Sequence, residues 1–141
     1  MTTTPDDRQR WLRNSLLGNA VFSTLSGLTF ALAAEAVASF VGLEQVALVR
    51  AAGIGLLGFA GFVAFVATRP AIDLQAAYAI VIGDLSWVVG TVPVVVFDVL
   101  SSNGMVAALV IADIVLLFAG LQYYGIRRIK GAPRSSSTAP A

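Results

Sequence analysis

The chain predicts an all-α integral membrane protein with four spans, and three observations carry that prediction. The composition is 57% hydrophobic and only 12% charged, with a mean hydropathy of +0.84, whereas a soluble domain usually carries about 25% charged residues. The apolar residues are gathered into four runs, each close to the ~20 residues that a helix needs to cross a bilayer. The cations are sorted by side: of nine Lys and Arg residues, all except Arg50 fall in the two termini or the middle loop.

The spans are expected at about 14–32, 46–68, 72–97 and 105–124. Each is too uniformly apolar for an amphipathic surface helix. Before the first lies a cytoplasmic tail, 1–13, with Arg8, Arg10 and Arg13. The combination of these cations, an apolar stretch and Ala31-Leu32-Ala33 is similar to a secretory signal. The stretch is longer than a signal core and holds Asn19 and several hydroxyls, so it is expected to be retained. Between the first two spans, Val37, Phe40 and Val41 recur at helical spacing opposite Glu35 and Ser39. Residues 33–45 therefore form either a short helix in the outer interface or a continuation of the first span. Arg69-Pro70 joins the second span to the third, and Ser101-Ser102-Asn103-Gly104 joins the third to the fourth. Both are turn sequences. Connections this short make neighbours antiparallel, so 14–127 is expected to be an up-down four-helix bundle. The basic tail 128–141 and the first seven residues, rich in Thr, Ser, Pro and Ala, are expected to be disordered. By the positive-inside rule both termini are cytoplasmic and the membrane is the inner one.

The composition also limits the chemistry. The chain has no Cys and no His, which removes thiolate chemistry, the commonest metal and haem ligand and the usual neutral-pH base. No catalytic residue, metal site or cofactor is expected. A net charge of +1 argues against nucleic acid as a partner, because no face is basic enough to neutralise several phosphates. The expected partners are the lipid bilayer and either another membrane protein or a second copy.

Two acids fall inside spans: Asp84 in the third and Asp113 in the fourth. An ionised Asp at a helix centre costs about 2.5–3.5 kcal/mol, so each acid implies a polar partner or a function. With the spans antiparallel, the two carboxyls are expected at similar depth, either as interhelical hydrogen-bonding groups or as a proton or cation relay. Asn19 and Ser23 lie on a polar stripe of the first span, and Trp87 shares the face of Asp84. These five residues form the candidate intramembrane polar site. On the outer side, Arg50 either snorkels to headgroups or pairs with Glu35, Glu44 or Asp98. Gly53, Gly55, Gly58 and Gly61 place small residues along the second span, where another helix of the bundle or of a second copy can approach closely. The run Gly53-Ile54-Gly55-Leu56-Leu57-Gly58 matches a dinucleotide fingerprint in form only, since no strand precedes it.

Several short runs carry a family resemblance. They are Leu12-Arg13-Asn14, Phe22-Ser23 and Ser26-Gly27-Leu28, then Arg50-Ala51-Ala52-Gly53 and Asp84-Leu85-Ser86-Trp87. They resemble small bacterial four-helix membrane proteins of unassigned function, and the layout is similar to that of the DoxX-like group. The resemblance implies a four-span membrane fold and brings no activity or site role with it. Small multidrug transporters also have four helices but rely on a Glu within the first span. Here Glu35 lies beyond that span, which argues against membership.

The expected function is non-enzymatic: binding of a membrane-protein partner, a lipid or a small apolar ligand. The alternative is a proton-coupled transporter or channel that uses Asp84 and Asp113.

Overall fold

A computed structural model describes residues 5–132. It is all-α, with five helices: α1 Pro5–Leu32, α2 Ala34–Val41, α3 Val46–Thr68, α4 Leu74–Val96 and α5 Ser102–Lys130. All except α2 are long and apolar enough to cross a membrane. Their outer surfaces are apolar and exposed, as at Leu25, Ile82, Val89 and Leu117. The four long helices form a bundle, which is consistent with a membrane protein.

The helices outrun the apolar windows that predict them. α1 already starts at Pro5, within the segment expected to be a tail, and α5 continues through Lys130. Hydropathy locates the stretch that lipid can solvate, whereas backbone hydrogen bonding extends the helix into its polar ends. Pro5 opens α1, where a missing N–H costs nothing. Disorder expected for 5–7 and for 128–130 is thus replaced by helix; the same expectation for 1–4 and 133–141 lies outside the described residues.

The connection into α5 also differs from expectation. Residues 102–104 are its first turn rather than a loop. Ser101 is the N-cap, its hydroxyl accepting from the Gly104 N–H at 3.1 Å. The same serine holds α2 in place: its N–H donates to the Val41 carbonyl at 2.8 Å and its hydroxyl to that of Phe40 at 2.9 Å. A Cβ on Gly104 would lie 2.7 Å from Val41 backbone atoms, so only glycine admits this approach. Of the two readings of residues 33–45, the separate helix is the one seen. α2 follows a break at Ala33 and ends on Gly42 in the left-handed region at φ 78°.

α1 is the central element. It packs along α3 and against α5, and α4 packs on α5, while α3 and α4 barely touch despite being consecutive. α1 and α3 run in opposite directions. At one end the Arg13 guanidinium donates to the carbonyls of Ala67 at 2.9 Å and Pro70 at 3.1 Å, capping α3. Toward the other end Gly27 meets Gly53, where a Cβ on Gly53 would lie 2.5 Å from the Ala31 nitrogen.

Packing quality differs between the two ends. The end carrying Arg13, Arg69, Arg127, Arg128 and Lys130 is filled by Leu12, Leu16, Val63, Ala67, Ile80 and Ile126, all fully buried. Rings and cations ring it: Trp11 packs edge-on against Tyr124 with centroids 6.0 Å apart, Lys130 lies 4.7 Å from the Tyr78 ring and Arg69 4.0 Å from that of Phe65. The opposite half has only a small cluster of Ala34, Ala38 and Val49, and it is open between α3 and α4.

Candidate functional site

Asp84 is 3% exposed and sits among three other buried polar side chains: Asn19 at 1%, Ser23 at 4% and Gln122 at 0%. They come from three helices and form one chain of hydrogen bonds. Ser23 Oγ donates to Asn19 Oδ1 at 3.1 Å, and Asn19 Nδ2 donates to Asp84 Oδ2 at 2.7 Å. From the other side Gln122 Nε2 donates to the same Oδ2 at 3.3 Å. Asn19 and Ser23 are one helical turn apart on α1, which aims both at α4. Gln122 Oε1 is buried with no hydrogen bond. Both protein donors thus converge on one carboxyl oxygen, and Asp84 Oδ1 accepts none.

The cluster borders a cavity of about 310 Å³. Its polar lining is Ser23, Ser26 and Asp84, and its walls include Phe22, Phe30, Phe59 and Trp87. It occupies the space that the poorly touching α3 and α4 leave open. Phe59 crosses that gap and lies against Gly83, where a Cβ would come within 2.9 Å of the ring. A second cavity of about 780 Å³ adjoins the first and shares Phe30, Ala52, Trp87 and Ile111 with it. It extends toward α2 and the start of α5, past Val37, Val41, Leu100 and Gly104, and is almost wholly apolar. Together they make a cleft that runs from the α2 end of the bundle inward to Asp84.

The predicted polar site is therefore brought together in four of its five members: Asp84, Asn19 and Ser23 by hydrogen bonds, and Trp87 as a cavity wall. Asp113 is not part of it. It is exposed on the outer surface of α5 and, among the described residues, has no hydrogen-bonding or ionic partner. The two carboxyls are not brought together, because α5 turns Gln122 rather than Asp113 toward Asp84. Gln122, nine residues after Asp113, is the residue of α5 that hydrogen-bonds Asp84. Nine residues advance the helix by about 13 Å and rotate it by about half a turn. Asp113 consequently faces the opposite way from Gln122, while Ile111 and Val115 on either side of it line the cavity that Asp84 borders.

The other predicted sites separate in a similar manner. Arg50, Glu35, Glu44 and Asp98 are all exposed, and among the described residues no ion pair joins any of them. Of the glycines chosen for helix packing, Gly53 is at a helix crossing, but Gly55, Gly58 and Gly61 have nothing within 4 Å of a built Cβ. They lie on a different face of α3 from Gly53, and Gly55 lines the cavity instead. Close approach falls to glycines the sequence reading did not select: Gly27, Gly104, and Gly125 against Leu12. Gln122 was likewise missed. The available signal was an amide inside an apolar run, spaced i, i+3 and i+4 with the buried Ala119, Gly125 and Ile126.

Among the described residues no group of three or more acidic, His or Cys side chains is arranged to hold a metal ion. Comparison with family models, curated proteins and solved structures finds no match to this chain.

Proposed function

We propose that this chain is a four-span, up-down integral protein of the inner membrane, with both termini cytoplasmic, that works by binding a lipid or a small apolar ligand in the cleft between α3 and α4. One observation carries the reading: a largely apolar cavity, open between two consecutive helices, ends on a buried hydrogen-bonded carboxyl. Ligand sites are concave and mostly apolar, with a few convergent polar groups, and this one matches that description. Because the gap faces the surface that lipid would cover, a hydrophobic molecule reaches it from within the bilayer. A partner membrane protein fits the function class but finds less support, since the glycines of α3 that stay open include one lining the cleft. The transporter alternative was built on Asp84 and Asp113 acting together. Their separation on opposite faces leaves Asp84 alone to serve it.

Trp87 reports on the cleft directly. In the Trp11→Phe protein it is the sole tryptophan. In nanodiscs, lipids brominated along the acyl chain are expected to quench its emission. Gly55→Leu fills space that is open in the native chain, so it should reduce that quenching without unfolding the protein. Equal quenching in Gly55→Leu and its parent would sink the cleft reading.

The orientation rests on the cations gathered at one end against the single exposed Arg50 toward the other. The native chain has no Cys, so single-Cys probes are unambiguous. Cys at Ser39 or Ser102 should react with an impermeant maleimide in intact cells, and Cys at Ser136 should react only after lysis. The reverse pattern would invert the topology.

A further inference from the structure

We infer that the ligand of the cleft is a lipophilic organic cation, an apolar molecule with one ammonium-type or delocalised positive centre. This rests on the cleft being a binding site and adds the charge of its occupant.

Three features converge on it. The first is the aromatic wall. Phe22, Phe30, Phe59 and Trp87 come from three different helices, α1, α3 and α4, and all line the cavity that Asp84 borders. An aromatic face attracts a cation, most strongly where water is excluded, with Trp the best of the rings. The second is the acid and what it lacks. Among the described residues no Lys or Arg lines either cavity, and none forms an ion pair with Asp84. Elsewhere in the molecule four cations, Arg69, Arg127, Arg128 and Lys130, lie near rings, at Phe65, Tyr123, Tyr124 and Tyr78, all at the basic end. Among the described residues no Lys or Arg lies near the aromatic group around Asp84. The third is the direction of the hydrogen bonds. Asn19 and Gln122 both donate to Oδ2, an arrangement that stabilises negative charge on the carboxyl and leaves Oδ1 without a protein donor. A positive centre at Oδ1 completes the set, and a negative one is repelled.

The remaining lining is suited to the rest of such a molecule. Beyond Trp87 and Ile111 the cleft is apolar up to the α2 end, with Val37, Val41, Val94 and Leu100. The cationic group would enter first, and the hydrocarbon part would trail along the second cavity.

Tetraphenylphosphonium and tetraphenylborate have the same shape and opposite charge, so the pair isolates the sign of the ligand. Binding is read from Trp87 emission in the Trp11→Phe protein in nanodiscs of a zwitterionic lipid. Saturable binding of the phosphonium is expected. It should be at least about tenfold weaker in Asp84→Asn, since losing one close charge contact exceeds 1.4 kcal/mol at low dielectric. Asn retains an acceptor for Asn19 and Gln122, so the fold survives; an unchanged unfolding transition verifies that. Asp113→Asn, which removes the other intramembrane acid, should bind as the parent does. If the borate binds as tightly as the phosphonium, or if Asp84→Asn binds the phosphonium undiminished, the cation assignment is overturned while the cleft stands. If neither ion binds and brominated lipid still quenches Trp87, the cleft takes lipid and the assignment is equally overturned. If bromolipid quenching is also indifferent to Gly55→Leu, the cleft itself is lost.

Discussion

Asp84 and Asp113 sit in nearly the same local sequence. Ala79-Ile80-Val81-Ile82-Gly83-Asp84-Leu85 in one helix parallels Ala108-Leu109-Val110-Ile111-Ala112-Asp113-Ile114 in the other. Yet Asp84 is buried in a four-residue polar network at the head of a cavity, and Asp113 stands exposed with no partner among the described residues. The difference lies in what each helix packs against. Around Asp84, α4 meets α1 and α5 at positions that carry an amide each, so the carboxyl has two donors. Around Asp113 none of the described helices covers α5 on that side. Local sequence therefore says little about the fate of an intramembrane acid; the neighbours at its depth and on its face determine it.

Substitution to leucine should expose this contrast most sharply at Asp84. Asp84→Leu leaves two buried amide donors without an acceptor, and stability should fall by about 1–3 kcal/mol in mixed-micelle unfolding. Asn19→Leu should come next. It removes the 2.7 Å bond and the acceptor of Ser23, and a loss of about 0.6–2 kcal/mol is expected on the scale of interhelical hydrogen bonds in membranes. Gln122→Leu should be close to neutral, since it gives up a 3.3 Å bond but also a buried carbonyl that has no partner. Asp113→Leu should cost nothing in folding, because no contact is lost. If Asp113→Leu destabilises the chain as much as Asp84→Leu, the two acids are not in the different environments described here.

Coupling between positions sharpens the comparison further. A double-mutant cycle between Asn19 and Asp84 should yield an interaction energy of about 0.6–1.7 kcal/mol. The same cycle between Asp113 and Gln122 should give none beyond error, because nine residues put the two on opposite faces of α5. The smallest effect concerns accessibility. Cys placed at position 113 should react readily with a membrane-soluble maleimide. Cys at position 84 should react more slowly, and more slowly still once the cleft is filled by Gly55→Leu. Equal rates at 84 and 113 would remove the distinction between a buried and a surface acid.

The polar site was legible in part from residue type. Asn19, Ser23, Asp84 and Trp87 stand out because polar or bulky aromatic groups are few in runs of Ala, Val, Ile and Leu, and they form two pairs at helical spacing, 19 with 23 and 84 with 87. Gln122 and the cleft were not legible. Gln122 was passed over near the end of an apolar window whose helix in fact continues to Lys130. The cleft follows from two consecutive helices failing to pack, which no property of either helix alone reveals. The glycines teach the same lesson, since Gly53 and Gly55 differ by two positions but point to a helix crossing and to open space.

The sequence by itself determined that the chain is helical and holds four segments able to cross a membrane. Those properties are averages over some twenty side chains, and the error of one or two residues at a boundary leaves an average unchanged. Tertiary structure alone decided which acid is buried, which glycines are crossed and where the bundle stays open. Each of these depends on facing, and facing turns by about 100° per residue. A shift of two residues reverses it, and only the neighbouring helix at that depth determines whether the side chain meets a partner or is left outside.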